Sequence, residues 1–181
     1  MEKPKIFIGA DHNGFEMKAT LSEFLRRGGY EVVDCGDVEK HPDDDFPQFA
    51  SKVVQAMATD PSYDVRGILL CGSGQGMCMA ANRYKGIRAV LGYNTESVRS
   101  ARNDDDSNVL CLPAHSLDFE TVVTITNTWL MTPFAAAPRF KPTRSARRAS
   151  RQRRCSSAGT RRFRSMSSRP MASSAPASRC R

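Results

Sequence analysis

Two hydrophobic periods alternate along the first 131 residues. Short apolar runs ending in turns read as buried strands: IFIGA (6–10), YEVVDCG (30–36), GILLC (67–71), IRAVLGY (87–93) and SNVLCL (107–112). Between them, apolar residues recur at helical spacing. FEMKATLSEFLRR (15–27) places Phe15, Met17, Leu21, Phe24 and Leu25 on one face, and Gly28-Gly29 ends it. Residues 48–59 turn Val53, Val54 and Met57 inward, and GMCMAANRY (76–84) forms a third helix. TESVRSARN (95–103) opens with a weak capping box from Thr95 to Val98 and carries Glu96 in its first turn. DFETVVTITNTWLM (118–131) reads as the last helix, against its β-branched content.

Five strand–helix units in alternation predict an α/β chain, a Rossmann-like three-layer sandwich with a five-stranded parallel sheet. Ligands of such sheets sit beyond the carboxyl ends of the strands. DHNG (11–14) follows the first strand and CGSGQG (71–76) the third. RNDDDSN (102–108) closes a helix before the fifth strand and is expected to swing over the same edge.

Charge divides the chain. Residues 1–134 hold 13 Lys/Arg and all 19 Asp/Glu, a net −6, whereas residues 135–181 hold 14 Lys/Arg and no acid, a net +14. The organisation expected is an acidic body over 1–134 and a basic, largely disordered Arg/Ser-rich tail over 135–181. The six cysteines are scattered with no C-x-x-C, which indicates neither a zinc site nor a disulfide framework. There is no long apolar span for a membrane and no apolar leader ahead of the first strand, so a cytoplasmic location is expected.

The candidate chemistry gathers at the first two of those loops. C-G-S-G-Q-G lacks the G-K-[ST] of a Walker loop and the G-x-G-x-x-G spacing of a dinucleotide fingerprint. Glycines at 72, 74 and 76 allow close approach of backbone N–H groups to an anion, a phosphate or an enediolate oxygen. Cys71 at the lip of that nest is expected to have a lowered thiol pKa and to act as nucleophile or carbon base. The plainer reading, a small buried residue before a tight turn, weighs about equally on spacing alone. Asp11 and His12 share the sheet edge, although a helix cap and a solvated turn residue would account for them as well. A carboxylate, an imidazole, a thiol and an anion nest on one edge form a constellation.

These segments together resemble the ribose 5-phosphate isomerase type B family, which includes the galactose 6-phosphate isomerase subunits. The resemblance rests on GADHNGFEMK, DFPQFA, ILLCGSGQGMCMAANRYKGIRAV, SVRSARNDDDSNVLCL and TWLMTPF, across roughly residues 5–134. It implies an aldose–ketose isomerase acting on a sugar phosphate without metal or other cofactor, as a homodimer or homotetramer with sites shared between subunits. Cys71 matches the base that moves a proton between C1 and C2, and Ser73 the hydroxyl that shuttles protons between O1 and O2. Gly72, Gly74 and Gly76 match the anion hole, and Asp11 and His12 the residues that hold sugar hydroxyls and phosphate. Some members use a glutamate just after the loop, where this chain has Met77.

The resemblance then breaks. Asp104 stands at the position of a ring-opening histidine and Asp105 at that of a substrate-binding asparagine. An aspartate with a pKa near 3.9 is a poor acid at neutral pH. That departure favours a substrate that needs no ring opening, such as a tetrose phosphate, or a non-catalytic homologue that binds a phosphorylated ligand. Arg139 and Arg144 lie near the family's phosphate-binding arginines. Beyond them the tail admits three readings: a disordered segment binding nucleic acid, a helix donating arginines to a partner site, or a stretch with the Arg, Ser, Ala and Pro composition of GC-rich DNA read out of frame. The last carries the most weight and nucleic-acid binding stands well below it, since no basic–aromatic interleaving supports it.

Overall fold

The computed structural model describes residues 3–36, 39 and 45–135, so the tail and its arginines, Arg139 and Arg144, lie outside the described residues. Ten elements alternate: β1 (Lys5–Ala10), α1 (Phe15–Arg27), β2 (Val32–Asp34), α2 (Phe46–Thr59), β3 (Val65–Cys71), α3 (Gln75–Asn82), β4 (Ala89–Leu91), α4 (Thr95–Asn103), β5 (Val109–Pro113) and α5 (Phe119–Met131). The strands form one parallel sheet in the order β2-β1-β3-β5-β4. Helices cover both faces, the Rossmann-like three-layer arrangement expected.

Successive residues of a strand face opposite sides, so each central strand feeds two cores. On one side Ile6, Ile8, Ile68, Leu70, Leu110 and Leu112 meet Leu21, Leu25, Val98, Ile125 and Trp129 from α1, α4 and α5. On the other, Phe7, Leu69, Val109 and Cys111 meet Phe49, Val53, Met77 and Ala81 from α2 and α3. Burial on both sides explains why these strands read as unbroken apolar runs. Among the described residues, no helix is long and apolar enough to cross a membrane.

Element boundaries moved where end effects outweigh periodicity. β2 and β4 are edge strands that pair over three residues each, shorter than the apolar runs containing them. α2 begins at Phe46, two residues early, with Pro47 in its first turn, where a missing N–H leaves no bond unmade. The cap of α4 is Asn94, whose Oδ1 accepts the Ser97 N–H at 2.8 Å. α5 forms in spite of its β-branched residues because Val122, Ile125 and Trp129 are fully buried.

One expectation is corrected. RNDDDSN does not reach the carboxyl edge within its own chain. In a parallel sheet each helix returns the chain to the amino edge before the next strand starts, and α4 does so. Asp104 caps its C-terminal end and Asn108 immediately precedes β5. Asp104 and Asp105 are therefore separated from the Cys71 edge by roughly 15 Å, the length of β5 at about 3.3 Å per residue.

Asp106 anchors that amino-edge loop. Its Oδ2 accepts Arg88 Nη2 at 2.8 Å and its Oδ1 accepts Arg102 Nη1 at 3.1 Å, while Arg88 Nε bonds its carbonyl at 2.7 Å. Its φ of 51° lies in the left-handed region. Removing the carboxylate leaves a buried Arg102 with its ion-pair partner gone. Asp106→Ala is expected to lower unfolding free energy by about 3 kcal/mol. Asp106→Gly is expected to lose about 1 kcal/mol less, since glycine tolerates the backbone. Urea denaturation of both variants measures the difference.

Candidate active site

Three loops meet at the carboxyl edge because β1, β3 and β5 are neighbours in the sheet. The reversal of strand order between β1 and β3 places a crevice where such sheets bind ligands. Backbone bonds lace the loops together. Asp11 N–H donates to Leu70 O at 3.2 Å, Ala114 N–H to Cys71 O at 2.9 Å and His115 N–H to Gly72 O at 3.0 Å.

Cys71 ends β3 with only 5% of its surface exposed. Its sulfur accepts the Gly74 N–H at 3.1 Å. Gly74 takes φ 73°, a left-handed conformation that reverses the loop and starts α3. The nest therefore closes first around the sulfur, so the N–H of Gly74 is not turned outward to a ligand. The expectation of a lowered thiol pKa is corrected. Burial pushes the Cys71 thiol above its ordinary value, and the neighbouring Asp11 carboxylate adds to that. The backbone N–H groups of Met77, Gly74 and Ser73 pull the other way without overcoming burial. Met77 is fully buried, a core side chain that contributes its backbone to the sulfur.

The remaining expected residues fall into two groups. Asp11 is nearly buried, and its Oδ1 accepts the N–H groups of Asn13 at 2.9 Å and Gly14 at 3.2 Å, which shapes the loop ahead of α1. Ser73 is exposed, with its Oγ accepting the Gln75 N–H at 3.4 Å. Gly72 and Gly76 are tightly packed; a β-carbon on Gly76 would stand 2.9 Å from the Phe46 ring. These residues and the half-buried His12 share the carboxyl edge. Asp104 and Asp105 do not. Asp104 Oδ1 accepts Asn103 Nδ2 at 2.8 Å beside a cavity of about 630 Å³ lined by Arg99, Ser100, Asn103, Asp104, Thr128 and Pro133. That cavity opens at the far edge, away from the thiol. Ala135, the last described residue, is tied there by its N–H to Asn103 O at 3.0 Å.

Two residues at the thiol edge escaped the sequence reading, Asn13 and His115. Asn13 Nδ2 lies 2.9 Å from His12 Nε2, and Asn13 Oδ1 lies 3.1 Å from His115 Nε2. His115 follows β5 as Cys71's loop follows β3. A search of every strand's carboxyl end, including the fifth, would have found it.

Comparison with known proteins agrees with this architecture. The family model described as Ribose/Galactose Isomerase matches residues 6–149. A probable ribose-5-phosphate isomerase B of Mycoplasma pneumoniae is 39% identical over 129 residues, covering 71% of this chain and 84% of that protein. Among solved structures, ribose 5-phosphate isomerase B from Thermotoga maritima superposes with a TM-score of 0.73 at 38% identity, covering 80% of this chain and 98% of that one. The Mycoplasma genitalium enzyme, solved with bound ribulose-5-phosphate, gives 0.71 at 34% identity, over 86% of this chain and 97% of that one. With the fold, the order of its motifs and this match all in agreement, the chain belongs to the ribose/galactose isomerase family.

Proposed function

We propose that this protein interconverts ribose 5-phosphate and ribulose 5-phosphate through an enediolate, with Cys71 as the carbon base. The observation that carries this reading is the sulfur itself, held by the Gly74 N–H at the end of β3, the strand edge where the loops after β1, β3 and β5 meet. As thiolate, Cys71 takes the C2 proton of the open-chain aldose. The C–H electron pair becomes the C1–C2 double bond, and the C1 carbonyl pair moves onto O1. Returning the proton to C1 gives the ketose. The exposed Ser73 hydroxyl moves a proton between O1 and O2, and His12 holds the phosphate at the mouth of the β1 loop.

The raised thiol pKa fits a carbon base. Fewer thiolates exist at neutral pH, but each is a stronger base toward a weakly acidic C–H. Asp104 and Asp105 occupy the opposite sheet edge, so they join this site only from a second copy of the chain. A dimer that sets the amino edge of one subunit against the carboxyl edge of its partner would do this. The acidic Asp104 position favours a second reading, an isomerase preferring a tetrose phosphate, which closes no furanose ring.

Cys71→Ser keeps an oxygen acceptor for the Gly74 N–H and so keeps the loop. Its turnover of ribose 5-phosphate is expected to fall about 10³-fold, within the range for losing a general base. Undiminished turnover in this variant would remove Cys71 from the chemistry. Alkylation of wild-type Cys71 by iodoacetamide is expected to keep accelerating as pH rises past 9.0, the ordinary thiol value, with no earlier plateau. Peptide mapping across a pH series measures this, and a plateau below that value would mean the thiol is not controlled by burial.

A further inference from the structure

We propose that Cys78 and Cys111 form a reversible disulfide in the presence of peroxide, and that closing this bond switches the isomerase off. Formation of the bond stands on the two thiols alone; its effect on turnover rests on the isomerase reading above.

Thiols distant in the chain meet between α3 and β5. Cys78 lies in the first turn of α3 and is half-buried, whereas Cys111 lies in the middle of β5 and is fully buried. Their side chains hydrogen-bond to each other. Cys78 Sγ also donates to Ala89 O at 3.4 Å, on β4, which runs beside β5 with Leu91 opposite Cys111. Asn82 Nδ2 stands 3.7 Å from the same sulfur and 3.0 Å from Ala89 O. These contacts hold the Cys78 thiol over the β4–β5 pair, in the same core that Cys111 enters.

The two thiols are unequal. The hydrogen bond from Cys111 lowers the Cys78 pKa below its ordinary value against the opposing effect of burial, while burial pushes Cys111 well above it. Cys78 both ionises more readily and reaches solvent, so it meets oxidant first. Its thiolate attacks one oxygen of hydrogen peroxide: the S–O bond forms, the O–O bond breaks, and the departing hydroxide takes up a proton as water. The Cys111 sulfur then attacks the sulfenic sulfur. The S–S bond forms, the S–O bond breaks, and the hydroxide leaves as water with the Cys111 proton. The thiol pair gives up an electron pair, and the peroxide is reduced to water.

The bond forms beside the groups that steady Cys71. Cys78 N–H donates to Gly74 O at 3.1 Å, and Gly74 N–H donates to Cys71 Sγ at 3.1 Å. Met77, next to Cys78 in the same turn, offers its own N–H to the Cys71 sulfur. Replacing a contact between thiols by a covalent bond draws this first turn of α3 toward β5. The N–H groups that favour the Cys71 thiolate move with it, while Cys71 stays paired at the end of β3 opposite Pro113. Oxidation at Cys78 therefore reaches the carbon base without touching it.

The test uses the full-length protein, oxidised with equimolar hydrogen peroxide and compared with the same sample after dithiothreitol. Peptide mapping after iodoacetamide blocking is expected to show Cys78 cross-linked to Cys111 in the oxidised sample only. Turnover of ribose 5-phosphate is expected to fall about 10²-fold as that bond forms, the loss that a displacement of about 1 Å in a site brings, and to return on reduction. Cys78→Ser removes the attacking sulfur and keeps a small polar side chain, so its turnover is expected to match the reduced wild type both before and after peroxide. Equal inactivation of Cys78→Ser overturns the switch, because peroxide then acts at another thiol. So does a wild type without the Cys78–Cys111 cross-link, or one that carries it and keeps full turnover. A reduced wild type with no turnover overturns the isomerase reading itself, and the mapped cross-link then decides on its own whether these thiols pair.

Discussion

The pairing of β3 with β1 on one side and β5 on the other is the constraint on which the rest depends. Parallel hydrogen bonding in that order delivers three successive strand ends to one edge. The loops after them need only short excursions to touch, and the bonds from Ala114 and His115 to Cys71 and Gly72 fix their spacing. Since the flanking strands are buried on both faces, the edge is carried by strands packed on both sides. A site built this way holds its reacting groups without relying on a mobile loop.

Much of this was legible in the sequence for simple reasons. Buried parallel strands are unbroken apolar runs, and helices covering them keep a 3.6-residue period, so element order could be read directly. Cys71, Ser73, Asp11 and His12 were visible because strand ends followed by glycine mark the ligand edge of such a sheet. Two things were not visible. The pKa of Cys71 depends on how deeply the strand end is buried, and glycine spacing carries no information on burial. The placement of Asp104 depends on which way α4 runs. A motif next to a strand says nothing of edge until the strand's direction is applied to it. Asn13 and His115 were hidden for another reason: their meaning lies in contact across 102 residues of chain.

The nest after Cys71 shows how local geometry and chemistry compete for the same atoms. Gly74 is needed for the left-handed turn that starts α3, and the same turn aims its N–H at the sulfur. The bond stabilises a thiolate whenever one forms, while the low polarity around the strand end resists its formation. The sulfur proposed as the carbon base is also part of the scaffold of the first turn of α3.

Separation of the two sheet edges also bears on how such a protein can change. Groups more than about 10 Å apart with no shared partner contribute to folding almost additively. Within one chain, Cys71 with its loops and the Asp104–Asp106 segment satisfy that condition, and Asp106 anchors its own edge through Arg88 and Arg102. Substitutions at one edge are therefore nearly silent to the fold at the other. Epistasis between the edges would arise only where two chains meet, which leaves one edge open to drift while the other is held in place.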